Sequence, residues 1–260
     1  MGMLRKKSLG IAITGNSLRA CVLYGTKKEI VLGPHFNIFL PEGTVVGGEV
    51  RNYLELKKAL FSIKKQVAFK QVVLSAQAPE TDLFREVGAK IIWFESEPES
   101  AHRAILSPQD GGTYMMVDIG RERSIISVVS DGEVCYSKQI GINGVLLEDL
   151  IRRKWGLEIF YEEINRHYID WHLGHAKKNK STFSARDASK KIKKVFIYGD
   201  AKDLPTLAGY LTSNLRTEVV VGNVWTNIIK SFDETIPEVT FEESLSYASA
   251  VGAALKGLEG

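Results

Sequence analysis

Residues that mark specialised chemistry or compartments are scarce in this chain of 260 residues. It has two cysteines, Cys21 and Cys135, each inside a strand-like apolar run, so a disulfide framework is excluded and reduced, buried thiols are expected. Long hydrophobic runs are missing. Stretches such as 11–13 and 219–221 fall far short of the roughly 20 apolar residues that cross a bilayer, and residues 1–9 hold no signal-peptide core. A cytoplasmic protein is the expectation. An excess of one charge is missing too: 34 Lys and Arg against 31 Asp and Glu leave +3, too little to argue for nucleic acid. His167, His172 and His175 have no cysteine or patterned carboxylate to complete a metal site, and only the last two share a helix face.

What remains is an ordinary globular composition, 44% hydrophobic and 25% charged, enough for one large core or two smaller ones. Its organisation is a pattern used twice. Residues 9–13, 18–24 and 29 onward have strand character, with turns at 14–17 and 25–27. Residues 115–119, 124–129 and 134–140 repeat it, with turns at 120–123 and 131–132. In that alignment Ala12 corresponds to Asp118 and Thr14 to Gly120. Each block continues into a helix, at 53–65 behind an Asn52 cap with Glu55 three residues on, and at 145–155 behind Asn143-Gly144. Strands follow at 71–75 and 90–94 in the first half, and at 194–198 and 218–221 in the second. Ser96 with Glu99, and Thr240 with Glu243, have capping-box spacing. Leu245, Ala248, Val251 and Leu255 recur at helical period in a closing helix. Each half thus reads β-β-β-α-β-α-β-α, and two α/β lobes on one plan imply a ligand held by strand-end turns in a cleft.

Six segments in order resemble the PilM/FtsA branch of the actin, sugar-kinase and heat-shock-chaperone superfamily, over nearly the whole chain. They are Gly10-Ile-Ala-Ile-Thr-Gly-Asn-Ser-Leu-Arg-Ala, Glu97-Pro-Glu-Ser-Ala-His-Arg-Ala, Val117-Asp-Ile-Gly120, Gly141-Ile-Asn-Gly144, Ile197-Tyr-Gly-Asp-Ala-Lys-Asp-Leu-Pro-Thr-Leu and Tyr247-Ala-Ser-Ala-Val-Gly-Ala-Ala-Leu. The resemblance implies an α/β, duplicated actin-like (ribonuclease H-like) two-lobed fold with trimmed accessory subdomains. Its first lobe would span 1–110, with a trimmed accessory piece in 45–95, and be completed by the closing helix 241–260. Its second would span 111–240, with a short basic connector at 174–194.

The same resemblance implies ATP and Mg²⁺ as ligands. Backbone amides of tight turns suit phosphate oxygens, and carboxylates hold Mg²⁺ through its waters. The implied nucleotide-binding set is Thr14, Gly15, Asn16 and Ser17 at the first hairpin, Asp118, Gly120 and Arg121 at the second, Gly141, Asn143 and Gly144 before a helix, and Gly199 and Asp200 on the adenosine side. Asp118 is the implied Mg²⁺ carboxylate, acting through water, and with Glu97 the implied catalytic pair, Glu97 orienting the attacking water. Three departures weaken this. Ala12 stands where the family has an aspartate, Thr14 replaces a glycine, and Gly199-Asp200 stands where two glycines are usual. Hydrolysis should suffer most, so an efficient ATPase is not expected.

The function implied is a cytoplasmic scaffold of a type IV pilus or related secretion or DNA-uptake assembly, at the inner face of the cytoplasmic membrane. It would bind the cytoplasmic tail of a PilN-like inner-membrane partner. The alternatives are an active ATP-hydrolysing actin-like protein of cell-division type and a small-molecule kinase, which would need an acidic base and larger insertions. The basic series of Lys177, Lys178, Lys180, Arg186, Lys190, Lys191, Lys193 and Lys194 reads as a solvated connector or a contact for anionic lipid headgroups. Nucleic acid is not expected there, because only Phe183 interleaves with it. Trp93, Trp155, Trp171 and Trp225 read as core or lobe-junction residues.

Overall fold

The computed structural model describes residues 5–25, 29–152, 156–174, 190–229 and 238–259. Trp155, His175 and the connector up to residue 189 lie outside them. The described residues divide into two compact units. One takes in positions 1–107, 224–240 and 247–260, the other 108–223 and 241–246. Residues 224–229 therefore go with the first unit and 241–246 with the second, where the sequence reading placed them the other way round.

In the first unit, strands β1 (Lys6–Ile13), β2 (Ser17–Gly25) and β3 (Ile30–Phe39) form an antiparallel meander. A small hairpin of β4 (Val45–Val46) and β5 (Glu49–Val50) leads to helix α1 (Tyr53–Gln66), then strand β6 (Gln71–Ser75), helix α2 (Thr81–Glu86), strand β7 (Lys90–Glu95) and helix α3 (Glu97–Ile105). The sheet order is β3-β2-β1-β6-β7, with β6 parallel to both β1 and β7. Central β1 is buried on both faces from Ser8 onward, as a continuous apolar run predicts. In α1 the Asn52 side chain accepts the Glu55 N–H at 3.3 Å, Lys64 and Lys65 complement the last turn, and Leu56, Ala59, Leu60 and Ile63 form the buried stripe.

In the second unit β8 (Thr113–Ile119), β9 (Ser124–Ser130) and β10 (Glu133–Ile140) repeat the meander, followed by helices α4 (Gly144–Arg152) and α5 (Gly156–His172), strand β11 (Ile192–Gly199), helix α6 (Leu204–Leu215) and strand β12 (Val219–Val221). The order β10-β9-β8-β11-β12 reproduces the first sheet strand for strand.

The expected closing helix is broken into α7 (Phe241–Ser244), a 3₁₀ turn over Leu245–Tyr247, and α8 (Ala248–Glu259). The Ser244 and Ser246 hydroxyls donate to the carbonyls of Phe241 at 2.6 Å and Glu243 at 2.8 Å, offering those groups an alternative to the helical ladder. α8 packs on β1 and α3 of the first unit. A Cβ on Gly10 would come within 2.1 Å of the Ala250 carbonyl oxygen, and one on Gly252 within 1.7 Å of the Ser100 carbonyl oxygen. Only glycine permits so close an approach of backbones.

Candidate functional site

The first hairpin turn is closed on itself. The Thr14 N–H donates to the Ser17 carbonyl at 2.9 Å, the two hydroxyls lie 2.8 Å apart, and the Asn16 carbonyl accepts from the Leu40 N–H at 2.8 Å. Ala12 is the last but one residue of β1, with Arg19 on β2 and Ser75 on β6 as its Cα partners, and Ser75 in turn partners Glu95 on β7. Arg19, Ser75 and Glu95 are 4%, 0% and 6% exposed, so a polar row runs beneath the surface at the place where Ala12 contributes no carboxylate. Glu95 is neutralised there: Arg103 Nη1 and Nη2 donate to its two oxygens at 2.6 and 3.0 Å, and Ser100 Oγ adds a bond at 2.6 Å. Arg103 Nη1 also reaches the Gly252 carbonyl in α8 at 2.9 Å. Glu97 opens α3 and is buried, and its carbonyl accepts from Ser249 Oγ at 3.4 Å. Ser96 holds this helix start, its N–H and hydroxyl donating to the Glu99 carboxylate at 3.0 and 2.9 Å.

Sequence reasoning overlooked Arg19, Glu95 and Arg103. An arginine inside the apolar run Leu18-Arg-Ala-Cys-Val was the available signal, since a buried guanidinium demands partners.

In the second unit the structure gathers two groups. Asp118 is half-buried on β8 beside Tyr198 of β11. The next residue, Gly199, has φ +116°, and a Cβ on it would meet Asp118 Oδ1 and the Ile119 carbonyl oxygen at 2.7 Å. The Asp200 and Ala201 N–H groups donate to that same carbonyl at 3.0 and 3.2 Å, which fixes Asp118, Gly199 and Asp200 together. The second group joins the hairpin turn to the start of α4. The Gly144 N–H donates to the Gly120 carbonyl at 2.8 Å and the Val145 N–H to the Arg121 carbonyl at 3.4 Å. Asn143 donates from Nδ2 to the Glu122 carbonyl at 2.8 Å and accepts the Leu146 N–H at 2.9 Å. Gly141 is exposed and would meet nothing within 4 Å if given a Cβ.

The chemistry follows from what is already engaged. The first amides of α4 are used by the hairpin carbonyls and by Asn143, so a phosphate there must displace protein hydrogen bonds. Asp118 offers one carboxylate and Ala12 none. Among the described residues no cluster of three His, Cys, Asp or Glu side chains is placed to hold a metal ion. These residues fit a nucleotide in part, through Asp118 and the close Gly199 turn, and do not fit the paired-carboxylate pattern for hydrated Mg²⁺.

Several of the described tryptophans and histidines take structural places. Trp171 is buried and donates Nε1–H to the Lys190 carbonyl at 2.9 Å, and Trp225 is also buried. Trp93 differs from expectation: it is 51% exposed, because β7 is an edge strand. His167 is buried with Nδ1 2.7 Å from Tyr136 Oη, while His172 bonds the Tyr168 carbonyl and accepts the Ile192 N–H. Cys21 and Cys135 are free and buried, and burial pushes the Cys21 thiol up to about 12.

No protein-family model matches the chain, and no curated protein matches it by sequence. Solved structures do match by shape. The PilM–PilN type IV pilus biogenesis complex aligns with a TM-score of 0.75 at 13% identity, covering 97% of this chain and 99% of that one. The ethanolamine utilization protein EutJ from Carboxydothermus hydrogenoformans aligns at 0.62 with 16% identity, over 98% of this chain and 91% of that one. MreB5 of Spiroplasma citri bound to AMPPNP aligns at 0.56 with 11% identity, over 95% and 94%. The chain therefore has the duplicated actin-like α/β fold, with two five-stranded sheets of one strand order.

Proposed function

We propose that the protein is an actin-like scaffold of a type IV pilus or related envelope assembly, holding the cytoplasmic tail of a PilN-like inner-membrane partner at the inner face of the cytoplasmic membrane. Ala12 carries this reading. With no carboxylate at the end of β1, with Glu95 already bound by Arg103, with the first hairpin turn closed on itself and the second tied to the start of α4, the site is built for stability more than for phosphate chemistry. The likeness to PilM in its complex with PilN runs over nearly the full length of both chains and supports a tail-binding role. Among the described residues no helix is long and apolar enough to cross a membrane, so membrane association would come through the partner, aided by the basic connector.

A second reading, a nucleotide-binding protein that hydrolyses slowly or not at all, is favoured by the Asp118–Gly199 contact and by the nucleotide-bound state of MreB5. Thermal unfolding in ATP with Mg²⁺ separates the two, because a ligand that binds only the folded state raises its stability by about 2.7 kcal/mol at a hundredfold excess over Kd. The scaffold reading expects little or no shift in wild type and Asp118→Ala alike, together with capture of the partner's tail. A large shift in wild type that is lost in Asp118→Ala would replace it by the nucleotide-binding reading.

A further inference from the structure

β7 is the last strand of the first sheet, and among the described residues it pairs with β6 alone. Its open side leaves a row of unpaired backbone groups, the template on which an extended peptide adds a strand. Its side chains are unusually apolar for such a place: Ile92, Trp93 and Phe94 are 43%, 51% and 37% exposed. The pairing slips between Ile91 and Trp93, so Ile92 is a bulge residue. Only the six-residue α2 lies between β6 and β7 in sequence, and it leaves these three side chains uncovered.

The charges around the edge are mostly of one sign. Lys90 begins the strand and Lys70 precedes β6 beside it, the Lys90 N–H donating to the Lys70 carbonyl at 2.8 Å. Neither ammonium pairs with a carboxylate among the described residues. Lys256 of α8 lies 4.7 Å from the centre of the Trp93 ring while pairing with Glu259. Glu95, at the other end, is buried and held by Arg103. The bulge at Ile92 works against regular pairing of two identical edges of this chain. The basic, apolar edge suits instead a partner of complementary charge.

We propose that β7 is a docking strand for an extended peptide with apolar side chains at alternate positions and an acidic flank, which adds a strand to the first sheet and lays its apolar row beside Trp93, on the face that carries Lys256. This deepens the tail-binding reading, on which it rests, by naming the strand and the chemistry of the tail.

The test uses the full chain and a labelled synthetic peptide of alternating valine and threonine with an aspartate-rich end, beside a twin with a lysine-rich end. The aspartate peptide should bind saturably, slow hydrogen exchange across residues 90–95, and weaken about tenfold in Trp93→Ser and in Lys90→Glu. Lys90→Glu should also shift preference towards the lysine peptide. No saturable binding at about millimolar peptide, equal binding of the twins, or protection elsewhere overturns the proposal. So does concentration-dependent self-association abolished by Trp93→Ser, which assigns the edge to a second copy. If the membrane partner's tail binds wild type and Trp93→Ser equally and leaves β7 exchange unchanged, tail binding stands and the assignment to β7 falls.

Discussion

Arg103 of α3 gathers partners from two other elements: both oxygens of Glu95 at the end of β7, and the carbonyl of Gly252 in α8. A bidentate guanidinium–carboxylate pair with both members largely buried is costly to break from one side, because the remaining charge stays out of water. Arg103→Met should destabilise the first unit by roughly 3 kcal/mol, and adding Glu95→Gln should restore part of the loss. Urea unfolding of the single and double variants measures both, and an additive double variant would mean that the pair is not coupled. His167 makes a separate, pH-dependent contribution. Burial holds its imidazole below the ordinary 6.5, outweighing the opposing pull of Glu163. The unfolded chain then takes up the extra proton, so stability is fully present above 6.5 and falls as the pH drops below that value. His102 shifts the same way, through burial first and the Arg103 charge second. His167→Gln keeps a hydrogen-bonding group for Tyr136 without the titration, and its melting temperature should fall less than that of wild type between about pH 7 and pH 5.

At the scale of elements, the start of α4 is fastened to the second hairpin by Asn143, which caps the helix and ties down Glu122 at once. Asn143→Ala should cost about 1 kcal/mol for the cap and more for the lost tie. Faster hydrogen exchange at residues 120–123 and 144–147 would report it, and unchanged exchange would show that the backbone bonds from Gly144 and Val145 suffice. How much of this was legible in the sequence follows the range of the interactions involved. The paired meanders, the Asn52 cap and the Ser96–Glu99 box depend on neighbours in the chain, and all stand where the pattern placed them. The broken closing helix was hidden, because Leu245, Ala248, Val251 and Leu255 keep one period across the 3₁₀ turn while Ser244 and Ser246 interrupt the backbone. The polar row at Arg19, Ser75 and Glu95 was hidden for another reason: three strands far apart in sequence bring it together. For the candidate site, the residues at the hairpin turns could be picked out by motif, but the engagement of their amides could not, since it depends on where the turn and the start of α4 meet.

For the whole molecule, the seating of α8 carries the largest consequence. Gly252→Ala would drive a methyl into the Ser100 carbonyl, and it should cost about 1–3 kcal/mol as overpacking. The loss should be concentrated in the first unit, with α3 and β1 losing hydrogen-exchange protection before β8 and β11. Equal loss in both units would mean that the two unfold as one. The same seating sets an order of events during synthesis. β1 is made before the second sheet, but the helix that covers its Gly10 face is made only after the whole of that sheet. The second unit's sheet can close while the chain is still growing, whereas one face of the first stays open to water and to chaperones until residue 259 has left the exit tunnel.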